Sequence, residues 1–204
     1  MKKILIILLA AILLFPIKSF GFEKLPGKYE LIGDINKAFG KDRVTMIEFF
    51  NFSCKHCYKF ITTSKSLVRK YGDKLIHNKI PVYWGKQTHF PAVAFYLAKN
   101  RGIEEEVTRS IFDANFQGGA HVFDPRVVNF IISESGISED VRKQDNLHNT
   151  VRQGMALAAK YNADETPTII LNNVVKVTPK IVGGDMEKMT ENLDLIISKL
   201  LSMK

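Results

Sequence analysis

The segment Phe49-Phe50-Asn51-Phe52-Ser53-Cys54-Lys55-His56-Cys57-Tyr58 carries two cysteines separated by two residues. It follows an apolar run, Val44 to Phe50, which predicts a buried strand. From Cys57 to Tyr71 the apolar residues recur at helical spacing, which predicts a helix. The cysteine pair is therefore expected at the junction between a strand and a helix.

This position predicts different properties for the two sulfurs. With Ser53 as the helix N-cap, Cys54 falls in the first helical turn, where free backbone N–H groups and the helix dipole favour a negative charge. Cys57 comes one turn later, within reach for a small disulfide but on the inward side of the helix. We expect an exposed, reactive Cys54 and a shielded Cys57.

A Cys-x-x-Cys pair also occurs in zinc sites, in haem attachment sites and as a structural disulfide. A structural zinc site needs four ligands, and the chain has two cysteines in all. A c-type haem site needs His directly after the second Cys, where Tyr58 stands. A purely structural disulfide remains an alternative, although a bridge that closes so short a loop removes little entropy from the unfolded chain. The pattern favours a redox-active pair.

The start of the chain resembles an export signal. Lys2 and Lys3 precede an apolar core, Ile4 to Phe15, and Ser19 and Gly21 supply the small residues of a cleavage site. We predict a signal peptide over residues 1–21, with an uncleaved membrane anchor as the alternative. Export implies an oxidising compartment, in which a cysteine pair exchanges with partner proteins.

Composition predicts a globular chain with 46% hydrophobic and 25% charged residues. The formal net charge of +8 is spread over single lysines and arginines rather than a basic stripe, so no nucleic-acid partner is expected. The histidines other than His56 show no metal-ligand spacing, and no metal is expected.

The order of predicted elements indicates an α/β sheet interrupted by helices. A short strand near Tyr29 to Ile32 and the strand Val44 to Phe50 come first, followed by the cysteine helix and a strand from Lys74 to Val82, parallel to the previous one. Five helices are then predicted, at Phe90–Lys99, Ile103–Asn115, Pro125–Glu134, Ser138–Asn146 and Thr150–Tyr161.

Strand signals return near the end of the chain. Thr168 to Leu171 and Val174 to Val177 are predicted to form a hairpin across Asn172-Asn173, and a helix follows from Met186 to Leu201. This is a thioredoxin-like fold with an inserted helical domain. We divide it into residues 22–85 as its first part, 86–161 as the insert and 162–204 as its second part.

Four features together carry a family resemblance: the run Ile47 to Tyr58, the pair Thr166-Pro167 before a strand, the helical insertion between them and the exported start. The chain resembles the thiol:disulfide interchange protein DsbA family over nearly all of its length after the signal segment. One departure is Lys55, because the family often has Pro then His between its cysteines.

The resemblance implies a periplasmic enzyme, a protein dithiol oxidase that donates its Cys54-Cys57 disulfide to reduced, unfolded exported proteins. It implies no cofactor beyond that disulfide, and reoxidation by a DsbB-type inner-membrane protein. His56 would favour the Cys54 thiolate. Pro167 would be cis and face the cysteines, and the Thr166 backbone would pair with an extended substrate.

Glu48 is an acid in the central apolar strand, where an unpaired carboxylate would be costly. Lys79 on the next strand is its expected partner and matches a lysine of the family's pattern. We expect the two to form a proton relay for Cys57, with a structural ion pair or an edge position of this strand as the alternatives.

Two further functions stay open for this chain. Within the enzymes, a disulfide reductase or isomerase has the same cysteine motif. Outside them, a non-catalytic, peptide-binding holdase would carry the two cysteines as a structural disulfide. The direction of thiol exchange and the reactivity of Cys54 separate these possibilities.

Overall fold

A computed structural model describes residues 25–203 of the chain. The predicted signal peptide, residues 1–21, lies outside this range. Among the helices of residues 25–203, none combines the length and the apolar character needed to cross a membrane.

Within residues 25–203, five strands form one mixed sheet in the order β1-β5-β4-β2-β3, and six α-helices accompany it. Strand β2 pairs in parallel with β3 and antiparallel with β4, so β2 is an interior strand. The elements are β1 (Glu30–Leu31), β2 (Val44–Phe50), α1 (Lys55–Tyr71), β3 (Leu75–Pro81), α2 (Phe90–Lys99), α3 (Glu104–Phe116), α4 (Pro125–Glu134), α5 (Asp145–Lys160), β4 (Thr168–Leu171), β5 (Val175–Val177) and α6 (Met186–Ser202).

The side chains of β2 alternate between the two faces of the sheet. Met46 packs with Phe60 and Leu67 of α1 and with apolar residues of α6. Ile47 and Phe49 face the other way and pack against Ala158 of α5. The helices α1 and α6 therefore cover one face and α5 covers the other, which buries β2 on both sides.

The turn between β4 and β5 has the predicted hairpin chemistry. Asn172 and Asn173 have φ angles of 47° and 63°, and the Val174 N–H donates to the Leu171 carbonyl at 3.0 Å. Positive φ at both central residues matches the right-handed twist of paired strands, and Asn adopts this conformation more readily than most residues.

The insert between β3 and β4 differs from the prediction in one helix. The segment predicted as a helix from Ser138 to Asn146 is instead a short 3-10 turn, Val141–Lys143, followed by the start of α5 at Asp145. The Asp140 side chain accepts the Arg142 N–H and caps this turn, and Gln144 leaves the helical region at φ −112° and ψ 64°. Two short predicted helices are thus one turn and one longer helix.

Candidate active site

The junction after β2 is a tight turn that ends at Cys54. The Cys54 N–H donates to the Asn51 carbonyl at 3.0 Å, and α1 begins at the next residue. Cys54 is itself the N-cap, because its sulfur accepts the Cys57 N–H at 3.3 Å. The prediction of Ser53 as the cap is wrong. The Ser53 N–H and hydroxyl both donate to the Asn51 side chain, at 2.7 and 2.6 Å, so Ser53 belongs to the turn.

The two cysteines have different exposure, as predicted from the junction. Cys54 is half-buried, whereas Cys57 is 1% exposed and packs in the apolar cluster with Phe50 and Phe52. Both are free thiols in this structure. An attacking partner can therefore approach Cys54 while the fold covers Cys57.

Cys54 is the more acidic thiol. The pKa of Cys54 is lowered from its usual 9.0 to about 6, and the hydrogen bond with the Cys57 side chain has the largest effect. Burial opposes this shift, whereas the Thr166 side chain and the backbone N–H groups of Cys57 and His56 contribute to it. At neutral pH a large fraction of Cys54 is thiolate, the nucleophilic form.

Cys57 has the opposite character. Burial raises the pKa of Cys57 well above its usual value, and the neighbouring Cys54 raises it further through their hydrogen bond and its charge. The dithiol therefore carries its negative charge on Cys54 and its proton on Cys57.

His56 acts on Cys54 through the backbone, since its N–H is one of the groups that lower the pKa of Cys54. Its ring lies beside Gly184, where a Cβ added to that glycine would be 3.9 Å from Nε2. The contribution follows from the position of His56 in the first turn of α1, and any residue type except proline would make it.

The loop before β4 faces the cysteines. The Thr166–Pro167 bond is cis, as the family resemblance implies, and both residues are buried. The Cys54 sulfur lies 3.1 Å from the Thr166 carbonyl oxygen, which accepts the thiol proton when Cys54 is protonated. This carbonyl therefore lies at the sulfur that a substrate would attack.

Glu48 is buried on β2 at 3% exposure, but its partner differs from the predicted one. His77 Nε2 lies 2.7 Å from Glu48 Oε2, and the Lys79 Nζ lies 3.7 Å from Glu105 Oε1. Both His77 and Lys79 are on β3, two residues apart, so they share one face. The shorter imidazole reaches the buried acid, and the flexible lysine extends to the partly solvated Glu105 without a fully buried ammonium group.

A cavity of about 180 Å³ adjoins this pair and is lined by Ser64, Val68, His77, Lys79 and Glu105 among others. Its lining includes residues of α1, the helix that starts at the cysteines. Glu48 lies on the same face of β2 as Met46, which packs against α1. The histidine of the Glu48-His77 pair therefore lines a cavity that α1 also lines.

Helix α3 of the insert packs against the first turn of α1 and the turn before it. Tyr58 donates its hydroxyl to Asp113 Oδ1 at 2.6 Å and stacks on Phe112 and Phe116, with ring centroids 5.7 and 5.1 Å apart. Phe52 also contacts Phe112, at 5.1 Å. Each such aromatic pair contributes about 0.5–1.5 kcal/mol beyond area burial, so contacts with α3 stabilise the position of the cysteine turn and of the first turn of α1.

Gln87 also belongs to the site, because its Nε2 donates to Ser53 Oγ at 2.7 Å. Sequence reasoning did not identify Asn51, Gln87 or His77 as part of the site. A polar Asn51 within the apolar run Phe49 to Phe52 is the signal that could have identified the first of them. Within residues 25–203, no cluster of three or more His, Cys, Asp or Glu side chains is placed to hold a metal ion.

Curated proteins with similar sequences are thiol:disulfide interchange proteins. DsbA of Burkholderia cepacia is 25% identical over 166 residues, which cover 79% of this chain and 78% of that protein. DsbA of Buchnera aphidicola is 26% identical over an alignment of 219 positions that covers 98% of each chain. Both carry the name thiol:disulfide interchange protein DsbA.

Solved structures show the same fold. The crystal structure of Pseudomonas aeruginosa DsbA matches with a TM-score of 0.71 at 19% identity, covering 85% of this chain and 92% of that one. DsbA from Xylella fastidiosa matches with a TM-score of 0.70 at 20% identity, covering 86% and 98%. A thioredoxin family model matches residues 40–182. The chain therefore belongs to the thioredoxin family, and its likeness to the DsbA proteins confirms the resemblance read from the cysteine motif and Thr166-Pro167.

Proposed function

We propose that this protein is a periplasmic thiol:disulfide oxidoreductase that donates its Cys54-Cys57 disulfide to reduced, unfolded exported proteins. One observation carries the proposal: the fold lowers the pKa of the accessible Cys54 to about 6 and raises the pKa of the buried Cys57. A thiolate stabilised by the fold favours the dithiol form, and the disulfide is then a good oxidant. The relatives named DsbA support an oxidoreductase role.

The transfer proceeds in two exchanges. A substrate thiolate attacks the Cys54 sulfur, the Cys54–Cys57 bond breaks, and Cys57 leaves and takes up a proton. A second substrate thiolate then attacks the substrate sulfur of the mixed disulfide, and Cys54 leaves as a thiolate. The substrate loses two electrons and gains a disulfide, and the protein becomes the dithiol. The low pKa of Cys54 makes it a good leaving group in the second exchange.

Thr166 and Pro167 are the proposed substrate-binding residues. The Thr166 carbonyl is 3.1 Å from the Cys54 sulfur, so a peptide N–H next to a substrate cysteine could donate to it. Pro167, buried next to Thr166 in the chain, is the second residue proposed for this contact. A backbone contact of this kind accepts many sequences, which suits a class of unfolded substrates.

Reoxidation completes the cycle. We propose a DsbB-type inner-membrane protein as the partner that takes two electrons from the dithiol. No metal or organic cofactor enters this scheme, because the two sulfurs themselves hold the electrons.

Glu48 is the proposed proton donor to Cys57, with His77 in the place that the sequence assigned to Lys79. The buried acid and the histidine share a hydrogen bond of 2.7 Å, and their side chains are 4% and 8% exposed. The adjoining cavity offers a path by which the pair can be reprotonated. Cys57 needs this proton because a thiolate at its buried position is strongly disfavoured.

Glu48→Gln should slow the first exchange about tenfold or more, because general acid-base groups commonly contribute at least that much. The measurement is stopped-flow oxidation of a dithiol peptide at several pH values, with Glu139→Gln as the matched control on the insert. Glu139 is likewise paired, with Arg101. A Glu48→Gln protein that differs only in thermal stability would show that the pair is structural.

The direct test of the function is a comparison of two assays on the same preparation. The oxidised protein should rapidly introduce disulfides into a reduced, unfolded test protein, and the dithiol form should reduce insulin slowly. Fast insulin reduction with slow oxidation would favour the reductase or isomerase. If Cys54 alkylates slowly at pH 6.5, near its lowered pKa, the holdase with a structural disulfide is favoured instead.

A further inference from the structure

Asn51 lies between β2 and the cysteine turn and is only 1% exposed. Its Nδ2 donates to the Val82 carbonyl at 2.9 Å and to Gln87 Oε1 at 2.7 Å. Its Oδ1 accepts the Ser53 N–H and the Ser53 hydroxyl. The two donors and two acceptor positions of the amide are all used, which fixes the orientation of this side chain.

Gln87 closes the network from the neighbouring loop, residues 82–87. Its Oε1 also accepts the Trp84 N–H at 3.0 Å, and its Nε2 donates to Ser53 Oγ at 2.7 Å. Asn51, Ser53 and Gln87 therefore form a closed ring of hydrogen bonds. This ring joins the loop after β3 to the turn that carries Cys54.

The backbone of Asn51 contacts both cysteines. Its carbonyl accepts the Cys54 N–H at 3.0 Å, and its own N–H is near enough to the Cys57 sulfur to lower the pKa of that thiol. The residue that orients the turn is thus also next to each half of the redox pair. A rotation of the Asn51 peptide would disturb both sulfurs together.

This placement matters because stabilisation of a thiolate depends on donors that are already aimed at it. The Cys57 N–H lies 3.3 Å from the Cys54 sulfur, and this distance depends on how the turn 51–54 enters α1. A turn that relaxed by a few tenths of an ångström would weaken the donors without unfolding the helix.

We propose that Asn51 and Gln87 are positioning residues of the redox site: their hydrogen-bond ring holds the turn 51–54 so that the first N–H groups of α1 face the Cys54 sulfur. They thereby set the balance between the disulfide and dithiol forms. The inference rests on the proposed function, since it concerns the equilibrium between the disulfide and dithiol forms of the same cysteine pair.

Asn51→Ala tests the proposal through two readouts that concern the sulfur itself. Thiolate absorbance near 240 nm against pH should show the pKa of Cys54 raised by about one unit, which corresponds to about tenfold in thiolate stability. The equilibrium with reduced and oxidised glutathione should shift about tenfold toward the disulfide. An unchanged pKa and an unchanged equilibrium would overturn the proposal.

Asn129→Ala is the matched control. Asn129 also orients a turn through both ends of its amide, accepting the Val141 N–H at 3.0 Å and donating to Asp140 at 2.9 Å, but it lies on α4 in the insert. The Asn129→Ala protein should have a lower free energy of unfolding, but its Cys54 pKa and its equilibrium with glutathione should be unchanged. If Asn129→Ala moves them as far as Asn51→Ala does, the effect is general loosening and the proposal fails.

Gln87→Ala is the second variant and decides the question alone if Asn51→Ala does not fold. It should move both readouts in the same direction by a smaller amount, and the double variant should be less than additive because the two side chains share a bond. A wild-type protein that does not oxidise thiols contradicts the proposed function. A wild-type oxidase whose Gln87→Ala form has an unchanged Cys54 pKa contradicts only the positioning role.

Discussion

Cys54→Ser is expected to reduce disulfide transfer to the uncatalysed background, whereas Cys57→Ser is expected to accumulate covalent adducts with substrates. Cys54 is the accessible sulfur and the thiolate, so its loss removes the group that bonds to the substrate. Loss of Cys57 leaves that chemistry intact but removes the thiol that can release the adduct by attacking Cys54. The two substitutions change one atom each and should have opposite outcomes.

Non-reducing gel electrophoresis of each variant, after incubation with an unfolded substrate whose thiols are activated as mixed disulfides, measures this difference. The double variant Cys54→Ser/Cys57→Ser is the control for adducts through other groups. Equal trapping by both single variants, or trapping by Cys54→Ser alone, would refute the assigned roles.

The second large effect is a stability difference between the redox forms that depends on pH. The folded dithiol has a Cys54 pKa of about 6, against the usual 9.0 for an unfolded chain. By linkage, a depressed pKa stabilises the folded state by about 0.4 kcal/mol at pH 6 and nearly 3 kcal/mol at pH 8. The oxidised form has no thiolate and gains none of this stability.

The disulfide has an opposing advantage from chain entropy. Closing a loop of about four residues stabilises the oxidised form by about 2 kcal/mol. The oxidised form should therefore have the higher free energy of unfolding at pH 6. At pH 8 the reduced form should be the more stable of the two, by about 1 kcal/mol. The thiolate contribution grows as pH rises from 6 to 9 and is lost as pH falls through 6. Above about pH 9, Cys57 ionises in the unfolded chain but stays protonated in the fold, because its folded pKa is raised. This lowers the stability of the folded dithiol as pH rises further.

Urea unfolding of both forms at pH 6, 7 and 8 measures this difference. The free energy of unfolding of the dithiol, relative to the disulfide, should rise by about 2 kcal/mol across that range. A difference that stays constant with pH would mean that Cys54 is not stabilised as a thiolate. A disulfide advantage that persists at pH 8 would mark the bridge as a structural one.

Local patterns predicted the parts of this site that depend on nearby residues. Strand β2 and the inward Cys57 follow from hydrophobic periodicity, and the Asn172-Asn173 turn follows from the backbone preference of asparagine. The position of Thr166-Pro167 beside the cysteines came from family resemblance, because no local rule brings residues 54 and 166 together.

The features that sequence reasoning missed depend on contacts between distant residues. Ser53 has the side chain of a helix cap, but Asn51 and Gln87 engage it in a turn. His77 and Lys79 share a face of β3, so alternation alone cannot say which of them reaches Glu48. Their side-chain lengths and the presence of Glu105 on α3 decide it, and both are tertiary facts.

The most direct test of the central claim is the equilibrium of the oxidised protein with glutathione at pH 8, beside an unstructured peptide of residues 49–58. We predict that the folded protein is reduced at a glutathione ratio about fivefold lower than the peptide needs, which corresponds to about 1 kcal/mol. A folded disulfide that resists reduction as much as the peptide, or more, would contradict the claim that this fold makes the Cys54-Cys57 pair an oxidant.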